Sequence, residues 1–483
     1  MKKMKRLVAL ALSVVMVLAM SVVAFASVDL KDHSFEAYQI FAGTWSDNKL
    51  INITWGDGVN GDELLAELKT STVFASCTDA ASVAEVLGNY NEEDSQTTDF
   101  AKAVAKHLTS TATSGTGTVA LPAAGYYLIV DKTSVQGQDN AKNLSILKAS
   151  AAGTVTPSVK TDKPQLEKKV KDTNDTAGAT TDWQDSADYD IGDRIPYQLK
   201  ATLGDISDYN TYYVKFTDTM THLTLDENSV KVTVGTTELS SGQYELQWDD
   251  SAKKMTVSIA NVKAKGIDAT NGTVITVDYY ATLDSNAVIG SVGNPNEAYL
   301  EYSNNPNKAG DGETGKTPTD KNIVFTYKVT ANKVNQSGDP LKGAKFELFK
   351  KVKNNAGEDE WISKGEIDGT DKTEFSWSGL DDGDYKIEET QSPSGYNSIK
   401  PIEFTISATH DELSDSPKLT SLTGGDKFTG MVSTGTLTAT IENKQGSTLP
   451  STGGIGTTIF YVVGGILMAG AAVLLITKRR AEN

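Results

Sequence analysis

Three residue types that could be joined by a covalent bond recur in two sets along this chain, each on the inward face of a β-patterned segment. In "FTYKVTANKV", Lys333 shares its face with Phe325, Tyr327, Val329 and Ala331. In "GDYKIEETQ", Glu389 follows Tyr385 and Ile387, and in "LTATIENK", Asn443 follows Leu437, Ala439 and Ile441. An upstream set has the same form. "LEKKV" groups Lys168 with Leu166 and Val170, and parity favours Lys168 over Lys169. "VKFTDTM" groups Asp218 with Val214, Phe216 and Met220, and "AYLEYSNN" groups Asn304 with Ala298, Leu300 and Tyr302.

An unpaired buried amine or carboxylate is costly. Desolvation lowers the pKa of the lysine and raises that of the acid, so each moves toward its neutral form. A neutral amine is a nucleophile. A protonated acid can hydrogen-bond the asparagine carbonyl and make its carbon more electrophilic. Held in contact, the three could form a Lys–Asn amide with loss of ammonia, the acid shuttling protons. The expected self-catalysed bonds are Lys168–Asn304, promoted by Asp218, and Lys333–Asn443, promoted by Glu389. The bland alternative is two buried polar networks that do not react.

The elements that must position these residues are strands. Short alternating runs such as "VKVTV", "KMTVSI", "VITVDYYATL" and "AYLEYS" are separated by turns such as "SSG", "NG" and "DDG". This pattern predicts a mainly β protein of tandem immunoglobulin-like β-sandwich domains. Helix is expected only near the start, at "GDELLAELKTS" and "DFAKAVAKHL". Stretches rich in Pro, Gly, Thr and charge at 156–164 and 305–322 mark boundaries. The expected domains are 27–157, 158–320 and 321–446.

Composition narrows the function. The 483 residues carry a formal charge of −18, which argues against a nucleic-acid partner. With four histidines and one cysteine, Cys77, a disulfide framework is impossible and a His/Cys metal cluster nearly so. No cofactor is expected. No nucleophile–His motif, metal-ligand spacing or phosphate loop supports a surface enzyme. The acids Asp57, Asp62 and Glu63 in "WGDGVNGDE" are read as a solvated turn before a helix rather than a cation loop.

The two ends give the address. Residues 1–26 join a basic start to an apolar run and Ala24-Phe25-Ala26, which predicts a secretory signal peptide. Residues 455–476 are apolar and long enough to span a bilayer, and Lys478, Arg479 and Arg480 follow. Before them stands "LPSTGG", with Leu449, Pro450, Ser451, Thr452 and Gly453. The order resembles the LPxTG cell-wall sorting signal of Gram-positive surface proteins (447–483 here). That resemblance implies attack by a sortase cysteine on the Thr452 carbonyl, cleavage before Gly453, and transfer of the thioester to an amine.

"NKVNQSGDPLKGAKFELF", "YKIEETQSPSGY" and "IENK" together resemble a Cna B-type domain with its isopeptide Lys, E-box Glu and Asn. "DIGDRIPYQLKATL", "FTDTM" and "NEAYLEYSNNP" resemble the middle domain of Gram-positive backbone pilins, and "SFEAYQIFAGTWSDNKLINITWGDGVN" their N-terminal domain. The resemblance covers nearly the whole chain. It implies an LPxTG-anchored major pilin polymerised by a pilus-specific sortase and fixed to peptidoglycan by a housekeeping one. The implied partners are those sortases, neighbouring copies of the chain, peptidoglycan, and minor pilins or host-surface ligands.

Polymerisation needs an acceptor amine, which the family supplies from a short motif, typically YPKN. Here "VTPSVKTDKPQ" lacks the Tyr and the Lys-Asn pair; Lys160 is the expected acceptor and Lys163 the second choice. A monomeric wall-anchored adhesin would share every feature except the acceptor lysine.

Overall fold

The computed structural model describes residues 30–91, 94–109, 113–142, 146–157, 162–307, 313–446 and 455–481. The signal-peptide residues, Lys160 and the Leu449–Gly453 motif lie outside this set.

In the N-terminal part, Ser34–Ser46 lies between Lys49–Trp55 and Gly125–Asp131, and Ile146–Ser150 pairs on the far side of the latter. Helices Gly61–Leu68, Ala80–Leu87 and Ser95–Lys106 cover this sheet. Leu64, Val83, Ala84, Phe100 and Val104 meet Ile40, Phe41 and Leu128 in one apolar cluster. Two helices fall where the apolar spacing predicts them. The third begins at a capping box between Asp79 and Ser82, a start signal in a segment too short for a clear period. Near "WGDGVNGDE", Asn60 caps the first helix and Asp62 and Glu63 occupy its first turn, where carboxylates are favoured.

The middle part is a two-sheet sandwich. One sheet runs, strand by strand, through Ser186–Asp188, Asp320–Phe325, Asn294–Ser303, Val214–Met220, Lys254–Ile259 and Glu245–Asp249. The other runs through Thr237–Glu238, Leu223–Val234, Val274–Leu283, Arg194–Thr202 and Gln165–Val170. Alternation fixes which faces meet: Tyr197, Leu199, Val277 and Tyr279 from one sheet pack with Phe216, Val257, Leu300 and Tyr302 from the other.

The C-terminal part is a second sandwich. Tyr327–Asn335 lies between Glu374–Leu380 and Thr436–Asn443, and its pairing with Thr436–Asn443 is parallel. The facing sheet contains Lys345–Lys353, Gly383–Gln391 and Ile402–His410. Phe346, Tyr385 and Phe404 pack on Val329, Phe375 and Leu437.

The joint between the two sandwiches falls later than composition suggests. Asp320–Phe325 is a hydrogen-bonded strand of the middle sheet, and Tyr327–Asn335 begins the next one after only Thr326. The boundary expected at 320/321 therefore lies near Thr326, because a charged, Pro-rich loop ends several residues before the backbone changes sheets. The helix Ile455–Ala481 contains an apolar stretch, Phe460–Lys478, long enough to cross a membrane.

Candidate functional site

Lys168 sits on the edge strand Gln165–Val170, opposite Leu199, and its side chain is completely buried. Its Nζ donates to Asp218 Oδ2 at 2.5 Å and to the Tyr279 hydroxyl at 2.9 Å. The Tyr279 hydroxyl donates in turn to Asp218 Oδ2 at 2.7 Å. Tyr197 stacks on Tyr279, and the lysine nitrogen lies 5.2 Å from the Tyr197 ring centre. This aromatic box excludes water, so burial pulls the Lys168 amine below its ordinary value, against the opposing charge of Asp218. Lys169 points the other way and pairs with Asp185, as the period-2 alternation requires.

Asn304 is not part of this site. Its amide donates to the Val135 and Asn140 carbonyls of the N-terminal part at 2.6 and 3.0 Å. Two buried carboxamides lie near Lys168: Asn322, whose Nδ2 donates to the Lys168 backbone carbonyl at 3.0 Å, and Asn296, whose Nδ2 donates at 2.9 Å to the Tyr279 hydroxyl that the lysine amine also contacts. Asn296 and Asn304 share a strand face, so alternation selects both. Register separates them: Asp218 stands opposite Ala298 and Met220 opposite Asn296, while Asn304 lies beyond the strand end at Ser303. Eight residues of extended chain amount to roughly 27 Å. Asn294, on the same face, has both side-chain atoms bonded to backbone around Val288 and Val324. In contrast, Asn296 Oδ1 and Asp218 Oδ1 are buried acceptors without a donor among the described residues. A proton on Asp218 could supply one.

The second set lies in the C-terminal sandwich. Lys333 pairs in register with Ile441, two residues from Asn443 on a neighbouring parallel strand. Its Nζ donates to the Val334 and Ile441 carbonyls, each at 3.0 Å. Burial pushes the amine down to about 8, although the charge of Glu389 opposes the shift. Glu389, across the core on Gly383–Gln391, accepts from Asn443 Nδ2 at 2.8 and 3.0 Å through its two oxygens. Asn443 is fully buried, and its Oδ1 has no hydrogen-bond partner among the described residues. The structure thus brings Glu389 and Asn443 into contact and places Lys333 on the adjoining strand.

Of the two acceptor candidates, Lys163 is described. It donates to the Asp139 carbonyl at 3.1 Å and forms an ion pair with that residue's carboxylate.

A further ionic cluster occupies the joint between the sandwiches. Buried Lys350 contacts Asp175, Asp190 and Asp381 at 2.8, 2.9 and 3.1 Å. Burial disfavours its charge, but these three carboxylates outweigh that and hold the ammonium well above its ordinary value. Asp188, beside Asp381 and Asp382, is pushed up to about 7 by burial and by the charges of Asp172 and Asp382. Alternation along Lys345–Lys353 puts Lys350 on the inward face with Phe346 and Leu348, but its carboxylate partners come from loops that only the packing of two sandwiches brings to it.

Comparison with known proteins agrees with this architecture. Residues 191–306 match the family described as Gram-positive pilin backbone subunit 2, Cna-B-like domain. Residues 327–417 match the SpaA prealbumin-like fold domain, and 441–483 match the LPXTG cell wall anchor motif. The trypsin-resistant surface T6 protein of Streptococcus pyogenes serotype M6 is 27% identical over 396 residues, covering 66% of this chain and 70% of that protein. The solved T6 backbone pilin of serotype M6 Streptococcus pyogenes, described as modular and three-domain, superposes with a TM-score of 0.50 at 18% identity; the match covers 87% of this chain and 97% of that one. The full-length major pilin SpaD of Corynebacterium diphtheriae gives a TM-score of 0.44 at 14% identity, over 86% and 94% of the two chains.

Fold and matched motifs define a β-rich surface protein with an LPXTG cell-wall anchor. The chain thus carries a Gram-positive pilin-backbone domain together with an LPXTG cell-wall anchor, the parts of a wall-anchored pilus subunit.

Proposed function

We propose that this pilin is polymerised covalently by a sortase and that two intramolecular Lys–Asn bonds reinforce each subunit. The observation that carries the second part is the fully buried Lys168–Asp218 contact, with Asn296 one hydroxyl away. In water such a pair is weak; in a dry aromatic box its charges are costly and a neutral product is favoured.

The proton moves from Lys168 to Asp218, leaving a free amine and a carboxylic acid. The acid hydrogen-bonds Asn296 Oδ1 while the amine attacks the carboxamide carbon. The new C–N bond forms, the acid returns its proton to the departing NH2, the old bond breaks and ammonia leaves, and the carboxylate takes up the second proton of the amine, so the new amide is neutral. Tyr279 touches the amine, the acid and the amide, so its role is to hold the three in line. Lys333, Glu389 and Asn443 react in the same way, with the Asn443 carboxamide turned so that its oxygen faces the glutamic acid. The bond partner for Lys168 is thus Asn296, in place of Asn304.

Assembly joins Thr452 of one subunit to Lys160 of the next, and the last subunit to peptidoglycan. The relative described as trypsin-resistant is consistent with a covalently stapled subunit. Intact-mass measurement of the recombinant chain tests the staples: each should remove one ammonia. A mass equal to that of the plain sequence would refute them. An immunoblot of wall extract tests assembly; a single band in place of a high-mass ladder would point to the monomeric adhesin.

A further inference from the structure

Another buried lysine, Lys142, lies where the N-terminal part meets the middle sandwich. The Lys142 side chain is 4% exposed, and its Nζ lies 4.0 Å from Glu313 Oε2. That same glutamate oxygen accepts from Asn305 Nδ2 at 3.0 Å. Asn305 is itself buried, and its Oδ1 accepts from the Asn307 backbone N–H at 3.1 Å and the Asn307 amide at 3.2 Å. One carboxyl therefore sits between a buried amine and a buried carboxamide whose carbonyl is already polarised. Glu389 and Asn443 show the same acid-on-amide contact.

The surroundings hold these groups together. The Lys142 backbone N–H donates to the Asn304 carbonyl at 2.8 Å, and the Asn304 backbone N–H donates to the Glu313 carbonyl at 3.1 Å. Asn304 itself clasps the Val135 and Asn140 carbonyls. Gly315 lets the strand Thr314–Lys316 come this close: a Cβ there would stand 2.7 Å from the Gln138 carbonyl oxygen and 2.9 Å from Asn304 Nδ2. The segment 135–142 is thereby pinned against the end of the middle sheet.

We propose that Lys142 and Asn305 form a third amide bond, promoted by Glu313, that ties the N-terminal part covalently to the middle sandwich. Glu313 takes a proton from the lysine ammonium. The freed amine attacks the Asn305 carboxamide carbon and a C–N bond forms; the acid returns its proton to the departing NH2, the original C–N bond breaks, ammonia leaves, and the carboxylate takes up the second proton of the amine, leaving a neutral amide and a protonated Glu313. No oxidant or co-reactant is needed. The bond differs from the other two in joining two parts of the chain rather than the strands of one sandwich. It uses the chemistry proposed for Lys168 and Lys333 but does not depend on either bond having formed.

The test is tryptic peptide mapping of the full recombinant chain, with intact mass alongside. The expected result is a branched peptide joining the Lys142 and Asn305 segments, one ammonia lighter than their sum, with no cleavage after Lys142. Glu313→Gln should lose the branch while the masses of the Lys168 and Lys333 peptides stay unchanged. Should Lys142→Ala fold poorly, Glu313→Gln alone suffices, since it keeps the shape of the site. Cleavage after Lys142 and unbranched peptides in the wild type would overturn the third bond. Loss of the other two branches alone would overturn only the bonds proposed above.

Discussion

Each reactive group here is made unusual by what surrounds it. Lys168 and Asp218 would be an ordinary ion pair on the surface; fully buried, they are costly as charges and useful as a base and an acid. Removing the acid should therefore stop the chemistry without removing the lysine. Asp218→Ala is expected to restore one ammonia to the intact mass, and Glu389→Ala the other. Asn296→Ala should restore the same ammonia as Asp218→Ala, whereas Asn304→Ala should restore none from the Lys168 site. A wild-type-like loss in Asn296→Ala, with recovery in Asn304→Ala, would return the assignment to Asn304. Tyr279→Phe removes the hydroxyl that joins amine, acid and amide. It should slow bond formation during expression, visible as a mixture of two masses.

Among the elements, the first and last strands of the C-terminal sandwich lie side by side and parallel. A Lys333–Asn443 bond would close most of that sandwich into a loop. By the loop-closure estimate used for disulfides, the gain is ~4–5 kcal/mol. Glu389→Ala should lower the Tm of this sandwich and make it sensitive to trypsin, and an unchanged digestion rate would argue against the staple.

The joint between the sandwiches responds to pH in a different way. In the folded chain Asp188 is pushed up to about 7, above the usual ~4 of an unfolded Asp. The folded state therefore holds this proton more tightly, so its contribution is favourable below pH ~4 and is lost as the pH rises toward 7. At about 1.4 kcal/mol per pKa unit the effect has a ceiling of about 4 kcal/mol. Asp188→Asn keeps an acceptor for the Tyr327 hydroxyl, which donates to Asp188 at 2.6 Å. It should raise Tm at pH 8 and flatten the Tm profile between pH 4 and 7. A steeper profile would show that Asp188 does not govern the joint.

At the scale of the whole molecule, the proposed bonds would define a path for force. Tension entering at the Lys160 linkage would pass Lys168, cross to Asn296, reach Lys333 within the next few dozen residues, cross to Asn443 and leave through Thr452. The two sandwich interiors lie off that path. In single-molecule pulling, the wild type should therefore extend little beyond its linkers. Glu389→Ala should add roughly 360 Å of contour length as the C-terminal sandwich opens. A Lys160→Ala strain should lose the high-mass ladder. Full ladders would move the acceptor to another lysine, with Lys163 first released from Asp139.

By itself the sequence determined which faces turn inward. Period-2 alternation is local, so it placed Lys168, Asp218, Lys333, Glu389 and Asn443 on core faces and turned Lys169 outward. The LPSTG motif, the apolar span and the basic tail were legible for a similar reason, since their chemistry depends on contiguous residues. Height along a strand is not local. Asn294, Asn296 and Asn304 satisfy the same alternation, and only the register against Val214–Met220 sets Asn296 beside Lys168. Likewise, the carboxylates around Lys350 and the Glu313–Asn305 pair beside Lys142 reach those lysines from parts of the chain far away in sequence. Such contacts are decided by how separate cores pack together, and no periodicity within one segment carries that information.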